Sequence, residues 1–419
     1  MAERRAGSGV ASKLVFVNRY FYPDLSATSQ MLTDLAAHLA AAGRAVTVVS
    51  SRLGYEDPAA RFAARETVLG GVTVLRVATT RFGRARLAGR ALDYLSFYAA
   101  VFWRLLRVLE RGDVVVAKTD PPLLSVVVAL AARVKGAVLV NWLQDVFPEV
   151  GAALGVRILG GLPGRCLRAL RDASLRAAAA NVVLGEGMAR HLRGRAVAPA
   201  SVHVIPNWAD DREIRPLAHA DNPLRHARAW QDKFVVAYSG NLGRAHEADT
   251  LLAAARELAG EPRIRFALIG GGARTGAVRA FIEVHGLQNI ELLPYQARGA
   301  LAHSLGAADL HLISLLPEVE GYIVPSKFYG IAAAGRPIAF VGDPDGEIGR
   351  LVARFDCGAA CRPGDAAALA GFIRALAQDP QRAARLGANA RAALDRHFSQ
   401  SRSLQAWTEL LAGIAGRDM

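Results

Sequence analysis

Cysteine, lysine and long apolar runs are all scarce in this chain of 419 residues. Its three cysteines, Cys166, Cys357 and Cys361, cannot form a disulfide framework and lack the His or Cys partners of a zinc site. Residues 2–12 are polar, unlike a signal peptide, and no apolar run reaches the roughly 18 residues of a spanning helix. We therefore expect a cytoplasmic protein with no structural disulfide and no membrane span.

Acidic residues are scarce only in the first half of the chain. Residues 1–208 carry 27 basic and 14 acidic side chains, whereas residues 209–419 carry 24 and 23. The net charge of +14 therefore comes almost entirely from the first half. This asymmetry predicts an anionic partner for that half, which is a membrane, a nucleic acid or a polyphosphate.

Short β-branched segments alternate with Ala-rich helical patterns in two series, and the chain is too long for one core. The predicted strands are residues 14–18, 46–50, 72–76, 114–117, 138–142, 181–184 and 202–205, then 234–238, 265–269, 290–292, 310–313, 337–341 and 359–361. Apolar strands separated by helices predict parallel sheets covered on both faces. We predict an α/β protein of two doubly wound, Rossmann-like domains that face a central cleft. The expected bounds are 1–208, 209–398 and a terminal helix, 399–419, that packs back toward the first domain; the polar residues 206–233 form the linker.

Residues 320–347 contain the strongest local signal for a ligand. Pro325, Ser326 and Lys327 lead into a small-residue helix, and Glu347 follows the next buried strand. A helix N-terminus beside a lysine favours an anion, and a nearby carboxylate could accept hydrogen bonds from ribose hydroxyls. The alternative is an ordinary helix-to-strand connection with a solvated lysine. Because only five of the 51 basic side chains are lysines, we favour the nucleotide-diphosphate site.

Two glycine turns add to this signal. The first predicted strand of the chain lacks the GxGxxG fingerprint, which argues against a nicotinamide or flavin enzyme. In the second domain, one strand runs into Gly240, Asn241 and Arg244, and the next runs into a turn that includes Gly271. Ligands bind doubly wound sheets at such strand ends, so the sequence predicts a nucleotide sugar or a similar diphosphate there.

The order of motifs resembles the family-4 glycosyltransferases of the GT-B fold, and in particular their bacterial surface-polysaccharide branch (colanic acid and O-antigen). The motifs are RYFYPDLSATSQMLTDLAAHLAAAGRAVTVVS (19–50), WLQDVFPEV (142–150), VIPNW (204–208), YSGNLGRAH (238–246), PSKFYGIAAAGRP (325–337), GDPDGEI (342–348) and RHFS (396–399). The resemblance implies a UDP- or GDP-sugar held mainly by the second domain and an acceptor held mainly by the first. It further implies transfer with retention of configuration, with no metal and no cofactor beyond the nucleotide-sugar co-substrate.

The resemblance also assigns roles to particular residues. It places Gly240 and Arg244 near the diphosphate, Lys327 in the phosphate loop, and Glu347 beside the donor. The segment expected to meet the base is Leu293, Pro294 and Tyr295, and the segment expected to face the phosphates is Ser26, Ala27 and Thr28.

The chain departs from the family pattern at three points. Glu320 stands for the first of the usual paired glutamates, but Gly330 occupies the place of the second. Asn241 replaces a common arginine, and Glu247 replaces a common lysine. Positive charge on the diphosphate is then expected from Arg244, His246 or Lys327.

Each acidic residue at the other predicted strand ends could have either a functional or a structural role. Asp145 and Glu149 follow a strand and could orient the acceptor hydroxyl or the donor sugar, or they could form a turn and a helix N-cap. Asp24 carries the same ambiguity, with capping favoured. Asp343 and Asp345 superficially resemble a metal-binding pair, but an Asp-Pro-Asp-Gly sequence is ordinary turn chemistry, so we expect no metal.

A basic and aromatic segment spans residues 81–111. Arg81, Arg84, Arg86 and Arg90 precede a helix rich in Leu, Tyr, Phe and Trp, which is typical of a helix that lies at a lipid interface. A second basic stretch covers residues 157–176. The alternative is that the aromatic residues fill the core of the first domain. The charge asymmetry favours a peripheral protein on the inner face of the plasma membrane.

We consider three functions for a sequence with these features. The favoured one is a retaining, metal-independent glycosyltransferase that moves a sugar onto a lipid-linked saccharide for cell-surface polysaccharide. A UDP-sugar 2-epimerase would need an acidic, histidine-rich cleft, which the sequence does not supply. A basic nucleic-acid binder is permitted by the charge, but no nucleic-acid motif is present.

Overall fold

The computed structural model describes residues 12–24, 26–55, 61–83, 87–195 and 197–416. It contains two α/β domains, each built on one sheet with helices on both faces. The predicted fold of two doubly wound domains is therefore confirmed. No helix in the described part of the chain is long and apolar enough to cross a membrane.

The first domain is an eight-stranded sheet. Its elements are β1 (Leu14–Val17), α1 (Ala27–Ala41), β2 (Val46–Ser51), β3 (Arg65–Val68), β4 (Val72–Val77), α2 (Leu87–Val108), β5 (Val114–Lys118), α3 (Leu124–Lys135), β6 (Val138–Trp142), α4 (Glu149–Ala153), α5 (Arg157–Gly160), α6 (Leu162–Ala177), β7 (Ala180–Val183), α7 (Glu186–Arg193) and β8 (Val202–Val204). The strand order is β3-β4-β2-β1-β5-β6-β7-β8, and every pair is parallel except β3 with β4. The sequence did not predict β3, because its four residues are partly exposed and give no apolar run.

The second domain is a six-stranded, fully parallel sheet. Its elements, with the helices that flank it, are α8 (Pro223–Ala227), β9 (Phe234–Asn241), α9 (Asp249–Glu257), β10 (Ile264–Gly271), α10 (Thr275–His285), β11 (Ile290–Leu293), α11 (Leu301–Gly306), β12 (Leu310–Ser314), α12 (Lys327–Ala333), β13 (Ile338–Val341), α13 (Glu347–Arg354), β14 (Gly358–Cys361), α14 (Ala366–Gln378) and α15 (Pro380–Ala393). The strand order is β11-β10-β9-β12-β13-β14. A π-helical turn (Leu394–Phe398) ends the domain.

The last helix, α16 (Gln400–Ala415), returns to the first domain and contacts α1. Its Trp407 is fully buried, and its ring centroid lies 4.6 Å from that of Trp142 at the end of β6. Trp142 also stacks on Trp208 at a centroid distance of 6.1 Å. The first domain's core is thus completed by residues from the far end of the chain.

The predicted linker is a packed segment rather than a loose connection. Arg225 of α8 is 2% exposed, and its guanidinium donates to the carbonyls of Ala307, Trp230 and Lys233 and to the carboxylate of Asp309. These bonds satisfy both terminal nitrogens of the guanidinium, which makes its burial tolerable. Polar composition alone did not distinguish this arrangement from a solvated linker.

Each sheet has one place where the chain reverses its direction of strand addition. In the first domain this switch point lies between β1 and β5, and in the second it lies between β9 and β12. Ligands of open α/β sheets bind in the crevice beyond the carboxyl ends of the strands at such points. The carboxyl edges of the two sheets also meet, since Asp145 after β6 pairs with Ile323 after β12.

Candidate active site

Lys327 and Gly240, predicted from separate motifs, lie together at the switch point of the second domain. A Cβ placed on Gly240 would be 3.4 Å from Cε of Lys327, and Gly240 has a φ of +111°, which favours glycine. The Lys327 ammonium donates to the carbonyl of Asn241 at 3.4 Å and lies 4.9 Å from the Tyr238 ring centroid. Burial lowers the pKa of Lys327 to about 8. Among the described residues this long contact is the one hydrogen bond of the ammonium, which is therefore well suited to receive an anion.

The N-terminus of α12 adds two further groups beside Lys327. Ser326 is the capping residue of this helix, it is exposed, and its side chain makes no capping hydrogen bond. The first N–H groups of a helix have no intrahelical acceptor, and the helix dipole favours negative charge there. The hydroxyl of Ser326 and these amides therefore extend the anion site that Lys327 begins.

Gly271 and Tyr295 border the neighbouring crevice between β10 and β11. The exposed Tyr295 ring lies against the glycine turn, because a Cβ on Gly271 would be 3.4 Å from its Cε2 atom. A pocket here is lined by Tyr238, Gly240, Gly270, Gly271 and Leu292. Pro294 is exposed beside Tyr295, whereas Leu293 is 5% exposed and packs in the core. Of the predicted base-contacting segment, only Pro294 and Tyr295 thus present side chains to a ligand.

The predicted phosphate-facing segment begins α1 in the first domain. The hydroxyl of Ser26 is buried and has no hydrogen-bond partner among the described residues, while Ala27 is exposed. The carbonyl of Thr28 accepts a hydrogen bond of 3.0 Å from the fully buried Lys118. Asp24 accepts from the N–H of Ser26 at 2.8 Å, so it fixes the loop that leads into this helix.

Glu347 and Glu320 lie where the two domains touch. The carboxylate of Glu347 accepts the N–H of Gly187 at the start of α7, and its own N–H donates to Glu320 at 2.8 Å. Burial raises the pKa of Glu320. Glu347 is therefore bound across the cleft in this conformation through Oε2, and its contact with the donor ribose stays a prediction.

Arg244 also reaches across the cleft rather than toward Lys327. Its guanidinium donates to the carbonyl of Leu154, at the end of α4, at 2.9 Å. His246, the other candidate cation on this turn, has a ring nitrogen 2.6 Å from the carbonyl of Ser314, and burial followed by the nearby Lys327 charge lowers its pKa to about 4. Lys327 is consequently the candidate cation that the geometry favours.

Asp145 lies at the junction of the two carboxyl edges. Its Oδ1 atom is buried without a hydrogen-bond partner among the described residues. Burial, followed by the charge of Asp120, raises the pKa of Asp145 to about 6, against the lowering effect of a hydrogen bond from Thr119. The carboxyl group borders a cavity shared with Thr119, Asn141 and Arg171. This placement suits the predicted contact with an acceptor hydroxyl.

Glu149 has partners other than the expected substrate. Its carboxylate pairs with Arg171 at 2.7 Å, with Arg195 at 3.1 Å and with His191 at 3.6 Å. Burial acts to raise the pKa of Glu149, but hydrogen bonds from His191 and Arg171 outweigh it and hold the pKa near 2. Glu149 therefore ties α4 to α6 and α7, and the structure supports the structural reading of this residue.

Asp343 and Asp345 form a turn. Asp343 accepts the N–H of Asp345 at 3.1 Å, and Arg362 lies 3.8 Å from each carboxylate. Within the described ranges, no group of three or more His, Cys, Asp or Glu side chains could hold a metal ion.

Sequence reasoning missed Arg19, Tyr94 and Asp120, which lie around the switch point of the first domain. Arg19 follows β1 and Asp120 follows β5, so strand order alone would have located them. The strand order, however, is a property of the folded chain and could not be predicted from the sequence.

Comparison with known proteins identifies the family. Residues 26–208 match the family described as "Glycosyl transferase 4-like domain", and residues 224–393 match "Glycosyl transferases group 1". Over 330 residues the chain is 32% identical to the probable glycosyltransferase WbjE of Pseudomonas aeruginosa, covering 78% of this chain and 80% of WbjE. The chain belongs to the family-4-like glycosyltransferases of the GT-B fold. It is also 27% identical over 377 residues to the putative colanic acid biosynthesis glycosyl transferase WcaI of Escherichia coli K12, covering 86% and 91% of the two chains.

Solved GT-B structures share the whole architecture of this glycosyltransferase. Sucrose-phosphate synthase from Thermosynechococcus elongatus superposes with a TM-score of 0.77 at 18% identity, covering 97% of this chain and all of that one. Anabaena HepE in complex with UDP superposes with a TM-score of 0.72 at 18% identity, covering 96% of this chain. The predicted family and fold are confirmed, and the enzyme is related to proteins of polysaccharide biosynthesis.

Proposed function

We propose that this glycosyltransferase moves a sugar from a UDP- or GDP-sugar to a hydroxyl of a lipid-linked saccharide, with retention of configuration, in cell-surface polysaccharide biosynthesis. The observation that carries the proposal is the meeting of Lys327, Gly240 and the N-terminus of α12 at the second domain's switch point. That site combines a cation, a close backbone approach and free helix amides, which is the chemistry that a diphosphate requires. HepE, a protein of the same fold, is solved with UDP.

The chemistry that this site can perform is departure of the diphosphate. As the glycosyl bond breaks, negative charge grows on the leaving phosphate, and the Lys327 ammonium stabilises it at no cost of reorganisation. Retention through a covalent intermediate would need a carboxylate at nucleophile distance from the sugar. The sequence offers no obvious pair for that role, so we propose that the acceptor attacks from the face that the diphosphate leaves. Asp145, on the first-domain side, would orient the acceptor hydroxyl.

The interface between the two domains supports a closed, water-poor reaction site. Val146 donates its N–H to the carbonyl of Tyr322 at 2.9 Å, and Asp145 pairs with Ile323 in the same contact. Shielding from water strengthens electrostatic interactions and protects a reactive glycosyl centre from hydrolysis. The loop after β6 that carries Asp145 and the loop after β12 that leads to Lys327 are thus in direct contact.

We propose further that the first domain docks on an anionic membrane. Eight of the thirteen exposed large hydrophobic side chains in the described part of the chain lie on one row of packed helices, which we call the apolar patch. Its residues are Leu92, Leu95 and Trp103 of α2, Leu130 and Val134 of α3, Ile158 of α5, and Leu162 and Leu170 of α6. The exposed cations on the same helices are Arg107, Arg133, Arg157, Arg165 and Arg176. Exposed apolar groups among cations favour an anionic lipid surface.

The apolar patch differs from the aromatic helix that the sequence suggested. Phe97, Val101 and Leu105 are fully buried in the first domain's core, so only the outer face of α2 is available to lipid. Arg84 and Arg86, which the sequence placed before this helix, lie outside the described residues. The patch nevertheless extends to α3, α5 and α6, which the sequence alone did not bring together.

The direct test is transfer from radiolabelled UDP- and GDP-sugars in the presence and absence of a lipid-linked saccharide acceptor. Transfer that requires both substrates supports the proposal. Interconversion of UDP-N-acetylglucosamine without an acceptor would support an epimerase instead, and absence of both activities with every donor would contradict the proposed function. The anomeric configuration of the product, read by NMR, tests retention.

A further inference from the structure

The first domain has a crevice at its own switch point, between the ends of β1 and β5. Arg19 follows β1 and Asp120 follows β5, and the N–H of Arg19 donates to the carbonyl of Asp120 at 2.9 Å. These residues lie beyond the carboxyl ends of the strands, where open α/β sheets bind ligands. The second domain's equivalent crevice is the one that carries Lys327.

Arg19 has the features of a binding residue at this crevice. It is 7% exposed, and its guanidinium lies 5.4 Å from the Tyr20 ring centroid and 5.0 Å from that of Tyr94. Its Nε atom is buried without a hydrogen-bond partner among the described residues. A buried donor left without an acceptor costs free energy, which a ligand oxygen would recover. The two rings hold the planar guanidinium in place, so it is oriented before any ligand arrives.

Asp120 acts electrostatically on several side chains around this crevice. Its charge raises the pKa of Tyr94 and Tyr98 after burial, and it acts in the same direction on Asp145. One carboxylate therefore lies near two tyrosines and a second carboxylate. The only lysine of this group, Lys118, points away from the crevice, because its ammonium donates to Thr28 and lies 3.5 Å from the Trp142 ring centroid.

The charges of this group decide between classes of ligand. A phosphate or a uronate would be attracted by Arg19 and Arg90 but repelled by Asp120 and Asp145, so the charges around the crevice nearly balance. A neutral sugar has hydroxyls that both donate and accept, and so it can satisfy a guanidinium and a carboxylate together. Its ring can also lie against an aromatic side chain such as Tyr94, whose half-buried position leaves part of the ring accessible.

We infer that Arg19, Tyr94 and Asp120 form a subsite for a neutral hexopyranose unit of the acceptor, in which Arg19 donates to a sugar oxygen and Asp120 accepts from sugar hydroxyls. The inference rests on the proposed function, since it gives the acceptor side of that reaction its saccharide contacts. Asp120 is close enough to act electrostatically on Asp145, so a sugar bound here would present a hydroxyl toward the junction of Asp145 with the loop after β12.

The test is binding of methyl hexopyranosides of glucose, galactose, mannose and N-acetylglucosamine to the full chain with saturating UDP, measured by saturation-transfer NMR. Methyl glucuronide serves as the anionic counterpart. The variants are Arg19→Ala, the near-isosteric Asp120→Asn and Tyr94→Phe, with Arg133→Ala on the exposed face of α3 as the matched control. UDP affinity and melting temperature are measured for each protein.

At least one neutral hexoside should bind the wild type and the Arg133→Ala control equally. Arg19→Ala and Asp120→Asn should weaken it by about tenfold or more, as expected for loss of hydrogen bonds to charged groups, with UDP affinity unchanged. Tyr94→Phe should weaken it less, because the ring remains.

Three results would overturn the subsite: no hexoside bound to the wild type, undiminished binding by Asp120→Asn, or tighter binding of the glucuronide than of the glucoside. If hexosides bind as expected but neither UDP nor GDP binds and no transfer occurs, the saccharide subsite stands and the proposed function fails.

Discussion

The carboxylate of Glu347 accepts a hydrogen bond of 3.0 Å from the backbone N–H of Gly187, which joins the second domain to the first. Gly187 lies in the first turn of α7, so the carboxylate lies at the positive end of a helix dipole. Gly185 makes room for this contact, because a Cβ there would lie 2.6 Å from Cδ of Glu347. One carboxylate and two glycines thereby set the closest approach of the domains at this point.

We expect Gly185→Ala to push the domains apart. The new methyl group and the Glu347 carboxylate cannot occupy the same space, so turnover should fall several-fold while UDP affinity, which we assign to the second domain, stays within about twofold. Small-angle X-ray scattering should show a larger radius of gyration. Gly194→Ala, at the other end of α7, is the control, because its added Cβ would meet only ordinary contacts at 3.5 Å and beyond. Unchanged scattering and turnover in Gly185→Ala would contradict this view of the interface.

Lys327→Ala should fold, melt within a few degrees of the wild type and be nearly inactive. Loss of one group that stabilises developing charge typically costs about 2.7–4 kcal/mol, or roughly 10²–10³ in rate. Lys327→Arg should recover little activity, since a planar guanidinium does not replace a compact ammonium beside Gly240. Steady-state kinetics with a saturating donor provide the measurement. An alanine variant that keeps more than about a third of wild-type turnover would remove Lys327 from the chemistry.

The pH dependence of kcat/KM offers an independent check on the same residue. Burial lowers the pKa of Lys327 to about 8, and the ammonium is the form that binds phosphate. The activity of the free enzyme should therefore be full below this pKa and fall as the pH rises through about 8. The bound diphosphate stabilises the ammonium, so the fall in kcat should occur at higher pH. An alkaline limb that persists unchanged in Lys327→Arg would show that another group titrates.

Asp145→Asn should raise the stability of the protein at pH 8 and lower its activity. Because burial raises the folded-state pKa of Asp145 to about 6 from 3.8, its protonation stabilises the fold at low pH, and that stabilisation is lost as the pH rises through 6. Above pH 6 the buried carboxylate is charged and destabilises the fold, whereas the asparagine amide is uncharged and does not. The variant should melt a few degrees higher at pH 8 and lose at least about tenfold in turnover. If the variant and the wild type melt at the same temperature at pH 8 and turn over equally fast, Asp145 neither destabilises the fold when charged nor takes part in the reaction.

The apolar patch should be required for binding to anionic liposomes. Leu95 and Trp103 lie on the outer face of α2, and each is 59% exposed, so replacing both with Glu should weaken cosedimentation with phosphatidylglycerol vesicles without unfolding the protein. Val284→Glu, at a 79% exposed position of the second domain, is the matched control and should bind as the wild type does. High salt should release part of the wild-type protein. Normal binding by the double variant would show that the membrane contact lies elsewhere.

The strands were predictable because parallel strands buried on both faces appear as continuous apolar runs, as in Val114–Lys118. The edge strand Arg65–Val68 could not be predicted in this way, since it pairs antiparallel and exposes alternate residues. Lys327 and Gly240 were found because a glycine turn and a helix start are local signals. The directions of the Arg244, Glu149 and Glu347 side chains could not be predicted, because each is fixed by a partner more than 20 residues away along the chain.

The return of α16 to the first domain affects the order in which the protein can be assembled. Trp407 fills the space beside Trp142, so the core of the first domain lacks a fully buried side chain until this helix has been synthesised. During translation the second domain can pack its own sheet before the first domain reaches its final packing, which reverses the usual order along the chain. Until α16 emerges, the apolar face that it covers on α1 is open to the solvent and to chaperones.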